Sequence, residues 1–359
     1  MPNPFFFGGH ITDPDQFVGR KAELRRIASL LETAHTGQMQ SVSIVGERRI
    51  GKSSLLFHLK QVYPQWLTQP DGYCFAYIDL QSARYDTLPD LLAGILKGLL
   101  DCAHTADRAG ENTLRRLRTS LNDGALTLDR FEKTLGTLSG ELHLCPVVCV
   151  DEFERLFEKP KEFTDDLYNS WRSLISNSLA AFIIASHKPL PELAQSKQLT
   201  SSFFNVFTLV QLDEFTDEEA DELVARGKTC DRQFFDDERR RIRKLAGRHP
   251  LSLQVACSLL YEAKAKGVVN WPKLESDWRR QVDFMFGRST RPRRLLHWLD
   301  DKLILLGATF GFFFKRDKTD TSVYRLTGVI VLVVIVLVVL RVVQLPAVQD
   351  WLRIMTGAK

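Results

Sequence analysis

From Gly46 to Ser53 the chain reads Gly-Glu-Arg-Arg-Ile-Gly-Lys-Ser, a glycine, four variable positions and then Gly-Lys-Ser. This is P-loop spacing: the glycines let the backbone wrap closely, so that consecutive N–H groups point at phosphate oxygens. A helix starting there adds its positive end. The residues Gly46, Glu47, Arg48, Arg49, Ile50, Gly51, Lys52, Ser53 and Ser54 are therefore expected to line a phosphate site. Lys52 would neutralise the β- and γ-phosphates of ATP, and the Ser53 hydroxyl would ligate Mg²⁺. About 100 residues downstream, an apolar run at 147–150 delivers Asp151 and Glu152. A carboxylate at the C-terminal edge of a strand beside a P-loop suits a magnesium ion. Asp151 is assigned to the metal through water, and Glu152 to the base that orients the attacking water. Glu154 is the fallback, and otherwise an ordinary surface charge. A further apolar run, 181–185, ends in Ser186-His187. Ser186, with His187 as the alternative, would reach between the γ-phosphate and that water. The catalytic set is then Glu152, Lys52 and Ser186, and the metal pair Ser53 and Asp151.

These residues need a scaffold that brings distant segments to one edge. Short apolar runs at 42–45, 74–80, 147–150, 181–185 and 206–212 read as strands, separated by helical patterns at about 21–34, 53–59, 88–102 and 165–178. Two more helices fit within 103–140. Strands alternating with helices imply an α/β fold, a five-stranded, mostly parallel sheet with helices on both faces. From Thr216 the chain turns helical. Thr216 and Glu219 have capping-box spacing, and Pro250 suits the first position of another helix. An α-helical lid subdomain is expected at 213–287, after an N-terminal arm (1–15) and an ATPase core (16–212).

With these segments placed, the chain resembles the AAA+-related signal-transduction ATPases, the STAND class, and their archaeal-type and origin-recognition-like relatives. The resemblance is carried by Phe17-Val-Gly-Arg-Lys-Ala-Glu-Leu24, by the P-loop continued through Ser54-Leu55-Leu56, by Asp151-Glu152-Phe153-Glu154 and by Leu245-Ala-Gly-Arg-His-Pro250. It covers residues 14–265, about 70% of the chain. It implies that Val18, Gly19 and Arg20 line the adenine pocket. It also implies that the turn from Gly247 to Pro250 covers the nucleotide, with Pro250 against the base and Arg248 or His249 reaching towards it. Nucleotide binding would then change the angle between lid and sheet, a hinge-type switch. The chain departs from the family pattern twice. The stretch 195–204, where relatives with a trans arginine finger carry an Arg, offers only Lys197, and no winged-helix domain or repeat sensor follows the lid. Slow, switch-like turnover is the expectation.

Composition adds bounds. The 359 residues are 44% apolar and 26% charged, with a net charge of +4, a globular profile that gives no bulk signal for nucleic acid. The six cysteines form no C-x-x-C pair and read as reduced core thiols. Residues 326–340 are uncharged throughout, and eight more uncharged residues follow Arg341. Fifteen helical residues rise about 22 Å, short of the roughly 30 Å hydrocarbon core, whereas 326–345 gives about 20 residues with Arg341 free to snorkel. A single transmembrane helix is expected at 326–345, preceded by a basic linker (288–325) and followed by a short tail (346–359). The alternative is a buried strand or core helix. Lys315, Arg316, Lys318 and Arg325 outweigh the charges beyond, which puts the ATPase on the cytoplasmic side. The run 303–314 is too short to span.

The reading is a single-pass membrane ATPase that binds ATP, Mg²⁺ and ADP and acts as a nucleotide-dependent signalling or assembly switch, as a homo-oligomer or with a partner protein. One rival is a DNA-handling ATPase, supported by the basic run from Arg239 to Lys244. Another is a nucleotide-binding scaffold with little turnover.

Overall fold

A computed structural model describes residues 3–36, 38–121, 123–197, 199–228 and 230–287. Five strands, β1 (Ser41–Gly46), β2 (Tyr73–Asp79), β3 (Cys145–Asp151), β4 (Ala181–Ser186) and β5 (Phe207–Leu212), form one sheet in the order β2-β3-β4-β1-β5. Every pairing is parallel. The connections carry helices α1 (Lys21–Glu32), α2 (Lys52–Val62), α3 (Leu88–Cys102), α4 (Arg108–Ser120), α5 (Leu128–Gly136), α6 (Asp165–Ser176) and α7 (Leu190–Ser196). The side-chain period of two divides the central strands between two cores. Cys74, Ala76, Ile78, Val148, Val150, Phe182 and Ile184 face α3 to α6. Val42, Ile44, Phe75, Val147, Cys149, Ala181 and Ile183 face α1 and α2. Burial on both faces is why these strands read as continuous apolar runs. All six cysteines are free thiols; Cys74, Cys149 and Cys257 are buried, and Cys102, Cys145 and Cys230 are partly exposed.

The helical part comprises α8 (Asp217–Ala225), α9 (Asp236–Ala246), α10 (Pro250–Ala265) and α11 (Trp271–Met285). Its own core gathers Phe215, Leu223, Ile242, Leu253, Leu260 and Leu274, and two residues of the N-terminal arm, Phe5 and Val18, belong to it. Packing divides the chain after Val282, so the sheet and the helical part as far as Val282 lie within one unit. The second unit, from Asp283, is described only to Gly287. The basic linker, the expected membrane helix at 326–345 and the run 303–314 lie outside the described residues. Among the described residues no helix is long and apolar enough to cross a membrane.

Two capping devices join the arm and lid to the core. Thr216 and Glu219 form the expected capping box, each side chain accepting from the other's backbone N–H. The second carboxylate oxygen of Glu219 accepts from the Arg20 amide, so the box also grips the arm. Arg20, only 3% exposed, donates to the carbonyls of Ile50 (3.1 Å) in the P-loop and Asp213 (2.7 Å) at the end of β5. Its guanidinium also pairs with Glu23 and lies 4.9 Å above the Phe215 ring. Arg226 of the lid donates to the carbonyls of Asp15, Gln16 and Phe17.

Arg20→Ala would leave the buried Ile50 carbonyl and the part-buried Asp213 carbonyl without a charged donor, at a cost of about 2–3 kcal/mol in stability. Arg20→Lys should recover less than half, because an ammonium cannot reproduce the planar fork. Denaturant unfolding of the three chains checks this; a loss under about 0.5 kcal/mol for Arg20→Ala would contradict it.

Candidate nucleotide site

The parallel sheet brings the C-terminal ends of β1, β3 and β4 to one edge. There β1 ends at Gly46, and the loop that follows needs glycine at two places. A Cβ on Gly46 would sit 2.7 Å from the Leu212 carbonyl oxygen, and Gly51 has φ +105° as the residue capping α2. Ile50 plugs the loop into the core beneath. Lys52 is the first residue of α2 and is buried; its Nζ donates to the carbonyls of Gly46 (2.8 Å) and Glu47 (3.0 Å). Burial pushes the Lys52 pKa down, opposed by the negative field of Glu152, Glu154 and Asp151.

Asp151 ends β3 and is 2% exposed. One carboxylate oxygen accepts from the Glu152 amide (3.0 Å) and the other from the Tyr77 hydroxyl (3.1 Å). The nearby Ser53 hydroxyl also favours the charged form of this carboxyl. Burial raises the Asp151 pKa, and these donors hold it back. Glu152, in the left-handed region at φ 52°, caps a short 3-10 turn (Phe153–Glu158). Its pKa is raised first by burial and then by the neighbouring carboxylates Glu154 and Asp151, while the Lys52 charge and then Gln81 oppose the rise. Oxygen donors in an acidic, half-dry setting suit magnesium, and Lys52 beside them suits a phosphate, so the residues fit the groups their types implied.

Two expectations change. Ser186 is fully buried, and its hydroxyl donates to the Lys188 carbonyl (2.7 Å), which commits its proton away from any phosphate. His187, the alternative, is part-exposed and its Nδ1 pairs with Glu154. Glu154 is therefore no solvated surface charge: it is mostly buried, and its second oxygen has no hydrogen-bond partner. Arg20 is the second change, since its guanidinium is committed to Ile50, Asp213 and Glu23 rather than open to a base. Val18 packs in the lid core and Gly19 lies against Glu219. Ser54 accepts from the Ile11 amide (3.0 Å), and Arg48 and Arg49 remain on the loop, exposed. His249 is buried at the cap of α10 and Pro250 opens it, while the Arg248 carbonyl accepts from the Phe215 amide.

The basic run on α9 is largely neutralised. Arg239 pairs with Asp236, Arg243 with Asp217 (2.7 Å) and Asp221 (2.6 Å), and Arg241 reaches Glu275 while covering Trp271. Three of its four arginines thus already have partners, which weakens the nucleic-acid reading. Sequence reasoning missed Tyr77 and Gln81. Tyr77 was hidden because alternation on β2 reads it as core; Gln81 lies in a loop without a motif.

Among solved structures, the fold is similar to a Walker-type ATPase of Pyrococcus abyssi, with a TM-score of 0.56 at 17% identity, covering 86% of this chain and 84% of that one. The ORC2 protein of Aeropyrum pernix gives a TM-score of 0.56 at 17% identity over 86% and 79% of the two chains. Cdc6p of Pyrobaculum aerophilum gives 0.50 at 16% over 90% and 83%. At these identities the likeness establishes the P-loop ATPase fold alone. No curated protein matches the sequence. Residues 36–286, which run from before β1 to the end of the lid and contain the P-loop, Asp151 and Glu152, match the novel STAND NTPase 2 family, and the chain belongs to that family.

Proposed function

We propose that the chain binds ATP with magnesium and hydrolyses it slowly, as a nucleotide-dependent switch. The observation that carries this is the P-loop after β1, with Lys52 buried at the start of α2, at the same sheet edge as the buried Asp151 carboxylate that ends β3. Lys52 would exchange its two loop carbonyls for phosphate oxygens, since an ammonium prefers an anion to a neutral acceptor. Ser53 and Asp151 would hold magnesium, which neutralises charge on the β- and γ-phosphates. Glu152, with its pKa raised by burial, would accept a proton from water as the water oxygen attacks the γ-phosphorus. The bond from that phosphorus to the bridging oxygen breaks, giving ADP and phosphate. His187, paired with Glu154, would take the role first expected of Ser186. The Aeropyrum pernix ORC2 protein was solved in ADPNP and ADP complexes, which agrees with nucleotide binding on this fold.

The switch follows from how the lid is attached. Arg20 and Glu219 connect the P-loop, the end of β5 and the first lid helix, so a shift of the loop on phosphate binding would bear on the lid. The apolar run 326–345, uncharged but for Arg341 near its end, would then tether this switch to a membrane as a single helix, with the ATPase in the cytoplasm, and assembly with further copies or a partner would transmit its state.

Phosphate release tests the hydrolytic part. Glu152→Gln should lower turnover by roughly a hundredfold or more while nucleotide affinity stays within about threefold; equal rates in both chains would favour the scaffold reading. Alkaline extraction of membranes tests the tether: the full chain should stay with the pellet, and its release into the supernatant would reject an integral helix.

A further inference from the structure

Tyr77 has no part in the reading above, yet its hydroxyl is 3.1 Å from the Asp151 carboxylate. It reaches this point from β2, where it pairs with Cys149, two positions before Asp79 pairs with Asp151. Its ring is held from two sides. Phe57 of α2 meets it edge to face, with centroids 5.5 Å apart and planes at 89°. His10 of the N-terminal arm lies 6.4 Å from it and 4.9 Å from Phe57. The next arm residue, Ile11, donates its amide to Ser54, beside Ser53. A ring fixed by packing gives its hydroxyl one direction, and that direction meets the oxygen of Asp151 that does not take the Glu152 amide.

We infer that Tyr77, backed by His10, is a positioning residue that sets the orientation of the Asp151 carboxylate for magnesium. The inference rests on the nucleotide-site reading and deepens it. A carboxylate at the end of a strand can rotate about its last torsion, and a metal ligand working through an ordered water needs that rotation stopped. The Glu152 amide holds one oxygen from the end of β3 itself, and Tyr77 holds the other from the neighbouring strand. The arm thereby touches both halves of the metal pair, Asp151 through Tyr77 and the Ser53 segment through Ser54.

The test uses the full chain, a fluorescent ATP analogue and magnesium chloride. Tyr77→Phe keeps the ring and removes only the donor. Its affinity for the analogue in excess EDTA should remain within about twofold of the unaltered chain, while the magnesium concentration needed for half-maximal tightening should rise roughly three- to tenfold. His10→Ala should move the same quantity in the same direction by less. Tyr63→Phe removes a hydroxyl that meets Cys102 away from the site and should leave the magnesium response unchanged. An unchanged response in Tyr77→Phe, or an equal loss with and without magnesium, would overturn the inference while leaving the nucleotide site intact. Failure of the unaltered chain to bind the analogue at all would instead remove the nucleotide-site reading, and this inference with it.

Discussion

Parallel pairing is the constraint on which the site depends. A sheet covered by helices on both faces must return each strand through a crossover, and every strand then ends at the same edge. With β1 and β3 separated by β4, the P-loop and the Asp151-Glu152 pair emerge side by side although about 100 residues lie between them. Antiparallel pairing of either strand would send its functional residues to the opposite edge. The apolar runs that make the sheet and the polar residues at their ends are thus parts of one requirement. The strand interior pays in burial for what its last residue can do in chemistry.

The second organising feature is a set of long-range polar contacts around that edge. Arg20 and Glu219 are far apart in sequence, and both come from capping positions of helices, where backbone groups seek partners. Each serves its own helix and also a neighbour: Glu219 closes a capping box and grips the arm, while Arg20 reaches the P-loop and the end of β5. Such double use makes lid and loop parts of one mechanical unit. It also accounts for Arg20 in a signature that the resemblance would place beside the base.

Much of this was legible from sequence, for reasons that differ by element. Helix α3, Leu88–Cys102, was read to its ends because Thr87 caps it and its leucines repeat at helical spacing. The strands were found because two-sided burial forces apolar runs, with limits off by a residue or two where pairing extends past them. The placement of Lys52, Ser53, Asp151 and Glu152 at one sheet edge was readable because each follows the apolar run of a parallel strand. What was not readable depends on strand order. Tyr77 looks like another core aromatic until β2 is known to lie beside β3, and Glu154 looks solvated until β4 brings His187 to it. Ser186 looked available because a strand end is usually open, but the following turn takes its proton. The basic run on α9 supported only a rival reading, and the acidic neighbours from α8 and α11 that pair with it depend on the fold.

The central claim is that the loop from Gly46 to Ser53 holds the phosphates of ATP, with Lys52 as its cation. Titration calorimetry of the full chain with ATP, for the unaltered protein and Lys52→Ala, tests it most directly. The account predicts saturable one-to-one binding in the unaltered chain and a loss of at least tenfold in affinity when the ammonium is removed. Binding of ATP to Lys52→Ala as tightly as to the unaltered chain would contradict it.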